Sequence, residues 1–195
     1  MPNAKADTPR ESPLAGLKVL DLSRVLAGPF AGRMLCDLGA DVVKIEPPEG
    51  DITRLWGKVV GGIPGYYHQQ NAGKRDICLN LQAPGARELV LELVRQADIL
   101  VENFRPDVMP RLGLGYDVLK AANPRLIMLS ISGFGQGGPE SRRPAYAPIV
   151  HAEVGLLHRT HRRTGMERRL LAEQRAHERR AFGRRSTDHP FWGAK

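Results

Sequence analysis

The stretch 17–46, LKVLDLSRVLAGPFAGRMLCDLGADVVKIE, constrains the fold more than any other part of the chain. Residues 17–22 cluster apolar side chains as a buried strand does, whereas Met34, Leu35 and Leu38 fall at helical spacing within 30–38. The pattern predicts strand, Gly-Pro turn, helix and second strand, which is one βαβ unit. Its turn, Ser23-Arg24-Val25-Leu26-Ala27-Gly28-Pro29, leads off the carboxyl end of a strand, where open α/β sheets place their ligand crevices. The turn lacks G-x-G-x-x-G. A dinucleotide laid across it in the usual way is therefore disfavoured, while the amino end of the helix can still receive an anion.

Downstream, 47–70 is rich in Gly and Pro, carries Trp56, Tyr66 and Tyr67, and reads as a long loop shaping a site or interface. Residues 77–81 alternate as a strand. A helix is predicted over 84–97, opened by Pro84, with Leu89, Val90, Leu93 and Val94 on one face. A short buried strand follows at 99–102, then short helices at 107–112 and 116–122, the second closed by Asn123-Pro124, and an apolar strand at 126–132. A further helix is predicted through 149–157. Strands separated by helices predict an α/β fold, a Rossmann-like open and mainly parallel sheet with flanking helices and right-handed crossovers. A chain of 195 residues suffices for one such domain with a real core.

The net charge of +8 is unevenly placed: 1–157 hold 18 Lys and Arg against 17 Asp and Glu, while 158–195 hold 11 against 4. The basicity belongs to the tail, so the high pI says nothing about partners of the body. With ten arginines and four histidines the tail has too little apolar surface to extend a core. It reads as irregular or partly helical, with Leu170 and Leu171 on a short helix. Its arginine pairs Arg162-Arg163, Arg168-Arg169, Arg179-Arg180 and Arg184-Arg185 could neutralise phosphates. Aromatic interleaving by Phe182, Phe191 and Trp192 is poor, however, and nucleic acid is not the expected partner. Residues 1–12 read as disordered and without an apolar leader, and no segment reaches the length of a membrane span, which predicts a soluble cytoplasmic chain. Cys36 and Cys78 form no paired framework or metal spacing; they read as free thiols of a reducing cytosol, and no metal site is expected.

A run of motifs ties 13–157 together. Pro13-Leu14-x-Gly16-Leu17-x-Val19-Leu20-Asp21, Ala27-Gly28-Pro29, Leu38-Gly39-Ala40-Asp41-Val42-Val43-Lys44-Ile45-Glu46 and Gly50-Asp51 are followed by Asn71-x-Gly73-Lys74-Arg75. Ala97-Asp98-Ile99-Leu100-Val101-Glu102-Asn103-Phe104-Arg105-Pro106, Asn123-Pro124-Arg125-Leu126-Ile127 and Ser130-Ile131-Ser132-Gly133-Phe134-Gly135 complete the order. In this order the chain resembles the family III CoA-transferases, the group that includes formyl-CoA transferase, the carnitine CoA-transferases and the 2-methylacyl-CoA racemases. The resemblance covers the amino-terminal portion only; 158–195 do not share it, and complete members continue well beyond.

The resemblance implies transfer of CoA from an acyl-CoA to a carboxylic acid through an aspartyl nucleophile that attacks the thioester, with coenzyme A as co-substrate. It also implies an interlocked homodimer in complete relatives. By position, the residues similar to those lining the nucleotide are Leu26 and Ala27 in the first turn, Leu79, Asn80, Leu81 and Gln82 at a strand end, Asn103 and Phe104 after the next strand, and Arg111. Asn103 and backbone groups suit the adenine or pantetheine, Phe104 supplies apolar contact, and the planar fork of Arg111 suits a phosphate. Pro47 and Gln82 depart from basic residues found in relatives.

The nucleophile is expected in a Gly-Asp context beyond the segment matching 146–155. There the chain has its tail, whose acids Glu167, Glu173, Glu178 and Asp188 do not follow a glycine, so no catalytic residue is assigned. Tyr146 takes the place of the racemase histidine, with His151 five residues later. Plainer readings stand beside these. Ala27-Gly28-Pro29 can be a tight turn, Lys74 and Arg75 a solvated strand start, and Asn103 a helix cap. Phe104 can be core, and Arg111 can be held in a surface ion pair with Glu102 or Asp107. Two functions remain: a CoA-transferase, or a truncated or frameshifted inactive remnant that retains at most CoA binding. A missing carboxyl half would leave apolar surface exposed.

Overall fold

The computed structural model describes residues 12–164. Its elements in chain order are β1 (Lys18–Asp21), α1 (Ala27–Asp37), β2 (Asp41–Glu46), a 3-10 helix (Ile52–Leu55), β3 (Val59–Val60), β4 (Ile63–Pro64) and α2 (Gly65–Asn71). There follow β5 (Arg75–Cys78), α3 (Ala86–Arg95), β6 (Ile99–Glu102), α4 (Val108–Arg111), α5 (Tyr116–Ala122), β7 (Ile127–Ser130), α6 (Ala147–Glu153) and α7 (Leu156–Thr164). The chain divides into two compact units, 1–132 and 133–195.

In the first unit five strands form one sheet in the order β5-β2-β1-β6-β7. Every pairing is parallel; Val19 of β1, for example, lies opposite Val42 of β2 and Ile99 of β6. The period-2 alternation of a strand sends neighbouring side chains to opposite faces. Val19 joins Ala40, Val42 and Val101 on the face where Leu35 and Cys36 of α1 pack. Leu20 joins Ile45 and Leu100 on the other face, with Val90 and Val94 of α3, Met109 of α4 and Leu119 of α5. The expected Rossmann-like architecture is therefore present, with helices on both faces.

Three local expectations are corrected. The turn expected at Ala27-Gly28-Pro29 is already the first turn of α1, where proline fits because the N–H it lacks would have no intrahelical partner. The loop expected over 47–70 contains the 3-10 helix, the β3-β4 hairpin and α2. Asp51 caps that 3-10 helix by accepting from the Thr53 N–H, and Gly61 and Gly62 bend the hairpin at positive φ. The single helix expected over 149–157 is two helices, because Gly155 takes φ +69° between α6 and α7.

In the second unit Arg143 pairs with Glu140 at 2.9 Å and with Glu153, and its guanidinium lies 4.8 Å from the centre of the Phe134 ring. Helix α7 runs across the tail boundary expected at 157. The helix expected at Leu170 and Leu171, the four acids and the last three arginine pairs lie outside the described residues, as does most of the amino-terminal segment.

Among the apolar side chains exposed in the first unit, two groups stand on regular elements of the sheet layer. Leu26, Phe30, Met34 and Leu38 follow one another at four-residue intervals along α1, and Ile127 and Leu129 stand open on the edge strand β7. Among the described residues no helix is long and apolar enough to cross a membrane.

Candidate functional site

The sheet turns its carboxyl edge toward the segments singled out in the sequence. The chain leaves β1 to form α1 on one face and leaves β6 toward α4 and α5 on the other, so the loops after β1 and β6 diverge between neighbouring strands. In an open parallel sheet that divergence creates the ligand crevice. Leu26 and Ala27 lie exposed on the β1 side, and Asn103 and Phe104, both half-buried, on the β6 side. Residues 79–82 lie beyond the end of β5, the far edge strand, with Asn80 and Gln82 exposed and Leu79, Leu81 and Phe104 packed against the same core cluster. Arg111 is exposed on α4.

Asn103 does not cap a helix. Its carboxamide oxygen accepts from the Arg24 N–H at 2.7 Å, and its Nδ2 donates to the Arg24 carbonyl at 2.8 Å. The two loops of the crevice are thereby stitched together by one side chain. Arg111 sits 3.3 Å from Asp107, the surface pair that was one of its two readings; Glu102 is instead buried, accepting from the Phe104 N–H at 2.8 Å and from the Ser130 side chain. Burial pushes the Glu102 carboxyl above its ordinary value, against those two hydrogen bonds.

Beneath the turn after β1 lie charged residues that were not assigned a role in the sequence. The Lys74 side chain is wholly buried, and its ammonium donates to Asp21 Oδ2 at 2.7 Å, to the Pro29 carbonyl at 2.8 Å and to Asn71 Oδ1 at 3.0 Å. Three acceptors match its three donors, so the charge is fully satisfied although burial lowers its pKa. Lys74 is thus not a solvated strand start; Arg75 beside it is exposed and pairs with Asp41. Asp21 in turn accepts from the Ser23 N–H at 2.9 Å and from the Ser23 hydroxyl.

A second pair lies alongside. Lys44, fully buried in β2, donates to the Ser23 carbonyl at 2.7 Å and stands 3.5 Å from Asp51 Oδ2. Asp51 is 1% exposed and accepts from the N–H of Val25 at 3.0 Å through Oδ2, and from the N–H and hydroxyl of Thr53 through Oδ1. Burial raises the Asp51 pKa, but the Lys44 charge and these hydrogen bonds outweigh it and hold the carboxyl below its ordinary value. The network continues through the Asp51 N–H to Glu46, which also binds Arg54 and the Tyr67 hydroxyl. Burial raises the Glu46 pKa as well, and those donors bring it below its usual range.

Two glycines let α1 settle onto these charges. A Cβ on Gly28 would lie 2.1 Å from Ser23 Cβ, and one on Gly32 would lie 2.5 Å from Asp21 Oδ2. The sequence did hold signals for this layer: Lys44 and Glu46 interrupt an otherwise apolar strand, and the glycines recur one helical turn apart. Among the described residues no group of three His, Cys, Asp or Glu side chains is placed to hold a metal ion.

Comparison with known proteins bears on this arrangement directly. The family model for CoA-transferase family III matches residues 14–171. The chain belongs to that family. The match extends past 157 into the basic segment. An acetyl-CoA:oxalate CoA-transferase of Acetobacter aceti is 52% identical over 148 residues, 75% of this chain and 38% of that protein. An acyl-CoA transferase of Fusarium pseudograminearum is 47% identical over 162 residues, 78% of this chain and 36% of its own length. The crystal structure of a CAIB/BAIF family protein from Brucella suis superimposes with a TM-score of 0.71 at 46% identity, covering 76% of this chain and 40% of that one. The family III chain described here therefore spans about two fifths of the length of the relatives it matches.

Proposed function

We propose that the first unit is the coenzyme-A-binding part of a CoA-transferase that moves CoA from an acyl-CoA to a carboxylic acid. The observation that carries the reading is the joining of the loops after β1 and β6 across their divergence by the Asn103 hydrogen bonds to Arg24, beside residues 26–27 and 103–104. Leu26 and Phe104 offer apolar surface for the pantetheine and adenine, Asn80 and Gln82 offer exposed polar groups, and Arg111 is free enough of burial to turn from Asp107 to a phosphate. Transfer further requires a carboxylate to attack the thioester carbonyl while the CoA thiolate leaves. No carboxylate among the described residues is assigned that role: Asp21, Glu46 and Asp51 are each buried and committed to internal partners. The Tyr146 hydroxyl does not supply the histidine base of a racemase.

Calorimetry of the purified chain with CoA, set beside a transferase assay on the same sample, tests the reading. Saturable binding is expected, weakened about tenfold by Arg111→Ala with stability changed by less than about 0.5 kcal/mol, since that side chain is exposed. Binding without transfer identifies a CoA-binding chain that depends on further residues for chemistry. Absence of binding refutes the proposal. The homodimer of complete relatives is part of the same proposal, and association would cover Phe30, Met34 and Leu38 on α1 and Ile127 and Leu129 on β7; sedimentation of the chain as a monomer at all concentrations would remove it.

A further inference from the structure

We propose that Asp51 is a positioning residue, whose buried carboxylate holds the turn after β1 in a strained conformation and so presents Leu26 and Ala27 to the crevice in advance of any ligand. The proposal rests on the CoA-site reading above. Among the described residues Val25 is the one non-glycine with positive φ, at +70°. For a β-branched residue this is a genuine outlier, and such strain persists only where the surroundings over-determine it.

Here they do. Three consecutive residues are each held by a side chain from a different segment: the Ser23 carbonyl by Lys44 on β2, both backbone groups of Arg24 by Asn103 after β6, and the Val25 N–H by Asp51 before the 3-10 helix. Asp51 holds the strained residue itself. It is fixed in its turn by Thr53 through Oδ1, by Lys44 at 3.5 Å and by its own N–H on Glu46. The residue after Val25 is Leu26, and α1 starts at Ala27. Relaxation of Val25 toward negative φ would re-aim both. A ligand that meets a turn already in place need not supply the energy of ordering it.

The substitution Asp51→Asn isolates this role. Aspartate accepts with both oxygens, Oδ1 from Thr53 and Oδ2 from Val25, whereas asparagine has one acceptor oxygen and must turn an N–H₂ against one of those donors. With Asp51→Asn, the CoA dissociation constant measured by calorimetry is expected to rise about tenfold. In a Val25→Gly background, where positive φ carries no penalty, the same substitution is expected to raise it less than about threefold. A residue that only stabilised the fold would weaken binding equally in both backgrounds, and that result, or no loss in either, overturns the proposal. Amide hydrogen exchange answers independently of CoA. The Val25 amide should be protected in the parent and lose protection in Asp51→Asn; exchange at an unstructured rate in the parent overturns the proposal even if CoA binds. A parent that protects Val25 but binds no CoA leaves the clamp standing and removes the CoA reading. Should Asp51→Asn alone fail to fold, Asn103→Ala removes the adjoining hold at a half-buried position; loss of protection at Arg24 with Val25 still protected supports an Asp51 hold on Val25, while loss at both refutes it.

Discussion

Gly28→Ala tests how closely α1 depends on the charged layer beneath it. The added methyl would sit 2.1 Å from Ser23 Cβ, 2.5 Å from Ser23 Oγ and 3.1 Å from Asn103 Cγ, where carbon atoms ordinarily rest at about 3.5–4.0 Å. Ser23 cannot yield easily: it is wholly buried, its N–H and hydroxyl are tied to Asp21, and its carbonyl is tied to Lys44. The helix must therefore move. Alanine gains up to about 1 kcal/mol of helix propensity over glycine, whereas overpacking costs about 1–3 kcal/mol and more for severe overlap. At so short an approach the upper end applies, and the net loss should be about 2 kcal/mol. With a urea m-value of about 2 kcal/mol/M, the unfolding midpoint should fall by about 1 M. Gly65→Ala, where the new atom makes an ordinary 3.6 Å contact with the Lys58 carbonyl, is the matched control and should be neutral or slightly stabilising. A Gly28→Ala protein that unfolds at the parent's urea concentration or higher would refute the close approach of α1 to Ser23.

Lys74→Met should destabilise by about 3–5 kcal/mol in the same urea experiment, because it strands the buried Asp21 carboxylate; the pair Asp21→Asn with Lys74→Met should lose less than Lys74→Met alone, and an equal or larger loss would show that the two side chains do not act as a couple. Acid should unfold the protein through Glu46 and Asp51. Their folded pKa values lie below the ordinary 4.5 and 3.8, so the unfolded chain binds more protons, and the stability they contribute is present above those values and lost as pH falls through the folded ones. Glu102 has the opposite sign: raised by burial, it favours the fold at low pH, and that contribution is lost as pH rises through its folded value. Glu102→Gln, whose amide oxygen can still accept from Phe104, should therefore gain stability at neutral pH relative to the parent and lose that advantage below about pH 4.5, as read from urea midpoints across pH; a constant difference at every pH would contradict the raised carboxyl.

The centre of the sheet was legible because β1, β2 and β6 are largely buried and read as short apolar runs divided by amphipathic helices. Leu20, Val42 and Leu100 declared themselves in this way, and so did the α3 stripe of Val90 and Val94. Elements between 47 and 70 were hidden because they are short and owe their form to a cap and to glycines rather than to periodicity. At the site, the segments were singled out by resemblance, and residues 26–27, 79–82 and 103–104 follow the carboxyl ends of β1, β5 and β6. What each side chain does there was not legible, since Asn103 binds a backbone 79 residues away and Lys74 a carboxylate 53 residues away. Partners so distant in sequence leave no local pattern.

The glycines of the first turn illustrate why a nucleotide-binding fold can lack the glycine fingerprint. In the dinucleotide pattern, glycine lets the ligand's phosphates approach the backbone and lets the helix lie close to its strand. Gly28 and Gly32 serve the second purpose: the space their missing Cβ atoms would occupy is filled by Ser23, Asn103, Asp21 and Lys74, not left open to solvent. The charges that a phosphate loop would direct at its ligand are here spent inward, on the turn itself. In the proposed reading, contact with CoA then falls to the exposed Leu26 and Ala27 and to side chains across the crevice. On that proposal, changes at Leu26 should alter affinity with little effect on stability, whereas changes at Gly28 should alter both, because Leu26 is exposed and Gly28 is packed against Ser23 and Asn103.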